Sequence, residues 1–141
     1  MSAAEPSPTP KHFSAYIGGF MGASYRLDLK DGILTYSTFG RGNSNPKHTT
    51  VTPTTEQWSE FRQALDGLKV WQWRADYPST GTLDGTQWLL DVAYADHAIK
   101  TGGSNSYPDS SGKPSGKPEY TKDFSRYLEA VKKLIGGKSF E

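Results

Sequence analysis

The sequence predicts an α+β fold: one antiparallel sheet of about six strands carrying two helices, with the halves reading as a duplicated ββα unit. Three observations point there. Tyr25, Leu27 and Leu29 alternate with Ser24, Arg26 and Asp28 up to Asp31-Gly32, and the chain returns over 33–39, a hairpin with a turn of the type I′ kind. Trp88, Leu90, Val92 and Tyr94 repeat the alternation ahead of Asp96-His97. Each hairpin is followed by a stretch whose apolar residues recur at the helical period.

The elements follow in order. Residues 1–11, with Pro6, Pro8 and Pro10, read as a disordered leader, 12–137 as a single domain and 138–141 as a tail. A first strand is expected over 13–20, with Gly18, Gly19 and Gly22 allowing a bend before the hairpin. A polar loop over 40–47 leads to a short strand at 48–51. A helix is then expected to start with Thr52 as its cap, Pro53 at the first helical position and Glu56 near the positive end of the dipole. Its residues Trp58, Phe61, Leu65 and Leu68 share one face, which packs on the sheet. The alternation over 70–77 predicts a strand, with Trp71, Trp73 and Tyr77 on one side and Gln72, Arg74 and Asp76 on the other. The second hairpin spans 88–101. Residues 102–119 hold four Gly and three Pro, which predicts an irregular loop. Tyr120, Phe124, Tyr127, Leu128, Val131, Leu134 and Ile135 then form a closing helix that Gly136-Gly137 stops.

Composition narrows the function classes. The 141 residues fit one domain, and four Trp, eight Tyr and six Phe supply the apolar area for its core. Sixteen basic against fifteen acidic residues give a net charge of +1, no field for nucleic acid or an anionic membrane. With no cysteine there is no disulfide framework, thiolate metal site or cysteine nucleophile. No run approaches the roughly 18 apolar residues that span a bilayer, and the N-terminus lacks a signal-peptide pattern, so the expectation is a cytoplasmic protein without a membrane role. His12, His48 and His97 lie far apart in sequence, so no metal site and no cofactor is expected.

The succession Trp58-x-x-Phe61, Trp71-x-Trp73, Leu83-Asp84-Gly85-x-x-Trp88 and Gly103-Ser104-Asn105-x-Tyr107-Pro108 ahead of a closing helix resembles a group of uncharacterised bacterial proteins over residues 52–135. The resemblance implies a shared fold and a bacterial source, and it carries no catalytic residue across. Ser110 to Pro118 is an extension relative to that pattern.

The candidate functional residues follow from these words. Trp71 and Trp73 line the core or, alternatively, form a stacking platform for a carbohydrate. Asp84-Gly85 makes a turn; as an alternative, Asp84 acts with a folded-in histidine in a small hydrolase or lyase. Gly103-Ser104-Asn105 is a polar loop in which Asn105 takes a left-handed or turn conformation. The leading expectation is a non-enzymatic binding or protein-interaction module. Its surface lies at the junction of the 74–87 and 102–119 segments, where Arg74, Tyr77, Asp84, Asn105 and Tyr107 converge on another protein or a small polar ligand.

Overall fold

The computed structural model describes residues 8–19, 22–40, 46–78, 86–115 and 119–141. Strands β1 (His12–Gly18), β2 (Ser24–Lys30), β3 (Ile33–Phe39), β4 (Lys47–Val51), β5 (Gln87–Ala93) and β6 (Ala98–Ser104) form one six-stranded sheet in the order β4-β3-β2-β1-β5-β6. Every neighbouring pair is antiparallel. Helices α1 (Thr55–Gly67) and α2 (Lys122–Leu134) follow β4 and β6.

The register explains why one face is apolar. It sets Val51, Leu34, Leu29, Phe13, Val92 and Ile99 in a row across the six strands, with Leu27, Ala15 and Leu90 in the next row. Because strand side chains alternate, all of these point to the same side. Both helices cover that side: Trp58 and Phe61 of α1 meet Phe13 edge-on, and Phe124 of α2 lies 4.9 Å from Trp88. Each fully buried Leu or Phe of this layer stabilises the fold by roughly 1.5–3 kcal/mol. The opposite face presents Ser14, Tyr16, Arg26, Asp28, Leu89, Asp91, Lys100 and Gly102, and neither helix covers it.

The β2–β3 hairpin forms where expected, with Asp31 at φ 51° and Gly32 at φ 78°. Other expectations are corrected. Helix α1 starts at Thr55, because Thr54 and Gln57 make a reciprocal capping box: the Thr54 hydroxyl accepts from Gln57 N–H and the Gln57 side chain accepts from Thr54 N–H. Pro53 therefore lies ahead of the cap instead of inside the helix. Residues 70–77 are no sheet strand as a whole. Lys69 turns left-handed at φ 55°, Val70–Gln72 makes a 3₁₀ turn, and only Tyr77 pairs with the sheet, parallel to Gly103. Trp71 and Trp73 consequently leave the backbone in different surroundings.

Strand β6 runs on through Gly102, Gly103 and Ser104, which the Gly count had assigned to a loop. Lys11 N–H already donates to the Ala93 carbonyl, so sheet pairing begins inside the expected leader; residues 1–7 lie outside the described residues. At the other end Phe140 is fully buried beside Tyr25, and the Tyr36 hydroxyl donates to the Ser139 carbonyl at 2.6 Å. The last residues thus complete the core under β2 and β3.

Candidate binding site

The distinctive aromatic words converge on Trp88. Its ring meets Trp73 edge-on at 6.0 Å, Tyr77 at 5.7 Å and Phe124 at 4.9 Å, while its indole N–H donates to the Ser106 carbonyl at 3.0 Å. Tyr107 packs on Phe124 at 4.6 Å, and Tyr127 on Trp73 at 5.8 Å. Gly103 lets this cluster close: a Cβ there would stand 2.6 Å from the Trp88 indole nitrogen and 2.8 Å from Tyr77 Cβ.

The cluster decides the roles of the residues expected to form a site. Tyr77 and Tyr107 are buried at 0% and 1% exposure. The Tyr77 hydroxyl accepts from Arg74 N–H and donates to the Gly112 carbonyl at 2.6 Å, stitching the 105–115 segment to the 74–77 segment. Asn105 is left-handed at φ 51°, and its side-chain oxygen accepts from Thr86 N–H, closing the end of β6 onto the start of β5. Arg74 is exposed. Tyr77 and Tyr107 face the core, Tyr77 through its parallel bridge to Gly103 and Tyr107 through its packing on Tyr120 and Phe124. Asp84, with the Leu83-Asp84-Gly85 word, lies outside the described residues.

Trp73 is buried, and Trp71 lies elsewhere, half-buried against Tyr94 at 5.7 Å, with its indole N–H on Asp66 at 2.8 Å. The two rings share no face. Trp71 belongs to a polar lock built around Arg62. This guanidinium donates to Asp66 and, through two bonds of 2.8 and 3.0 Å, to Asp96, while lying 4.5 Å from the Tyr94 ring and 5.3 Å from that of Trp71. The bidentate pairing holds the Asp96 carboxyl well below the usual carboxylate range and ties α1 to the β5–β6 turn. The Arg62-x-x-x-Asp66 spacing was the sequence signal for part of it.

The histidines are dispersed. His12 lies 3.2 Å from Asp91, His48 2.7 Å from the Ser37 hydroxyl and His97 3.1 Å from Asp96. Among the described residues no three of His, Cys, Asp and Glu gather closely enough to hold a metal ion. No described helix is long and apolar enough to cross a membrane.

On the face that neither helix covers, where the 75–77 segment runs beside β6, there is a groove of about 670 Å³. Its floor is Gly102 with Leu89 and the Tyr16 ring, and its polar lining includes Asp76, Gln87 and Lys100. The floor is locked low, since a Cβ on Gly102 would lie 2.7 Å from the Trp88 carbonyl oxygen. Asp76, Gln87 and Lys100 form no side-chain hydrogen bond or ion pair with other described residues. Arg74, Tyr77, Asn105 and Tyr107, the described residues of the expected site, do not line this groove. Period-two alternation along β5 and β6 places Gln87 with Leu89 and Lys100 with Gly102, but Asp76 reaches them only through the non-local Tyr77–Gly103 bridge. A second depression, of about 450 Å³, lies between α1 and α2 over Phe61, Ala64, Ala130 and Leu134.

No protein-family model matches the chain, and a search of the curated proteins finds no match either.

Proposed function

We propose that the chain is a non-enzymatic binding module that takes a small polar ligand in the groove over Gly102. One observation carries the reading: the groove combines an apolar floor with charged and amide side chains that have no partner among the described residues. Its volume falls in the range of small-molecule sites, roughly 300–1,000 Å³, and its mixture of apolar floor and few polar groups is that of such sites. The rigid aromatic cluster beneath supports the reading further, because it holds β5, β6 and the 75–77 segment in register and so presents a preformed surface.

Equilibrium dialysis of the chain at about millimolar concentration against an extract of small metabolites, read by mass spectrometry, tests this. The wild-type chain is expected to retain a compound that the Asp76→Asn/Lys100→Met double variant releases. Identical retention by both proteins, or retention of nothing, contradicts the proposal.

A further inference from the structure

We infer that the ligand of the groove is a free α-amino acid with a large apolar or aromatic side chain. The inference rests on the binding reading above and names the ligand class. Tyr77 pairs with Gly103 in parallel, which sets Asp76 beside Gly102 at the rim. Lys100 stands two residues from Gly102 along β6 and on the same face, about 7 Å away by the rise of a strand. The two side chains are exposed, opposite in charge and unpaired among the described residues.

A ligand of single charge satisfies one of them and leaves the other facing it with the wrong sign or with nothing. A compact zwitterion satisfies both, its ammonium on the Asp76 carboxylate and its carboxylate on the Lys100 ammonium, which the four-carbon stem of lysine can bring to it. The floor beside them runs along one cross-strand row from Gly102, which has no side chain, to Leu89 and the Tyr16 ring. That arrangement leaves room for an apolar group and offers a ring edge or face for an aromatic one.

The test is an amide-resolved NMR titration of the full chain with three probes: L-phenylalanine, phenylacetate and phenethylamine. Phenylalanine is expected to shift the Leu89, Lys100 and Gly102 resonances with a dissociation constant on the order of millimolar, as its small size dictates. Each single-charge analogue is expected to bind about three- to fivefold more weakly, the upper range of an exposed ion pair. Asp76→Asn should weaken phenylalanine and phenethylamine while sparing phenylacetate, and Lys100→Met should weaken phenylalanine and phenylacetate while sparing phenethylamine. Both positions are exposed, and unchanged core resonances verify the fold of each variant. Equal binding of phenylalanine and either analogue overturns the inference, as do variants that leave phenylalanine binding intact or groove resonances that stay still at about tens of millimolar probe. In each of those cases, a compound of another class released by the double variant in dialysis leaves the binding reading standing.

Discussion

Gly103 and Tyr77 show how single residues position the groove. The close approach of the Trp88 indole and Tyr77 to Gly103 leaves no space for a methyl group, so Gly103→Ala is expected to destabilise the fold by about 1–3 kcal/mol, measured by urea denaturation. Tyr77→Phe removes a hydroxyl that serves both Arg74 N–H and the Gly112 carbonyl. Leaving buried partners unpaired costs about 1–3 kcal/mol, and hydrogen exchange at Arg74 should accelerate with it. Unaltered exchange would mean that water replaces the hydroxyl without loss. None of this could be read at the level of one residue type. Tyr77 is a surface candidate by its loop neighbours and becomes a core residue through a bridge to a glycine 26 positions away.

At the scale of elements, the capping box separates two readings of where α1 begins. Thr54→Ala is expected to cost about 1 kcal/mol, and Thr52→Ala close to nothing, on the same denaturation assay. A larger effect at Thr52 would restore the earlier start. The chain end has a similar test: Phe140→Ala empties a fully buried site and should cost about 3 kcal/mol or more. The elements with a local period were legible in the sequence, namely the β2–β3 hairpin, the inward set of β5 and the apolar face of α2. The path over 69–77 was not, since its alternation imitates a strand while a left-handed Lys69 and tertiary packing of Trp73 set the backbone. Phe140 stands beyond the glycines that end α2, where no period remains to signal burial.

For the whole molecule, the buried tyrosines give the stability a pH limit. Burial pushes the phenol of Tyr107 up to about 12 and raises those of Tyr77, Tyr94 and Tyr127 as well. A phenol whose folded-state pKa lies above its unfolded value of about 10 contributes stability that is complete below pH 10 and is lost as pH rises through the folded value. The melting temperature should therefore stay level from neutral pH to about 9.5 and fall beyond 10, with these four phenols ionising in step with unfolding. Phenolate forming at Tyr77, Tyr94, Tyr107 or Tyr127 in the native protein near pH 10, read by residue-resolved NMR, would contradict the burial of these rings. The sheet as a whole separates two duties, an inner face given to the aromatic core and an outer face that neither helix covers, with the groove at its β6 side. That separation followed from alternation in the strands, whereas the groove itself needed the pairing of the 75–77 segment with β6. Binding on the face that neither helix covers is tested by amide-resolved NMR screening of the chain against a small-fragment library. Hits are expected to shift Tyr16, Gln87, Leu89, Lys100 and Gly102 together; hits confined to the α1–α2 depression around Ala64 and Ala130 would contradict binding in the groove.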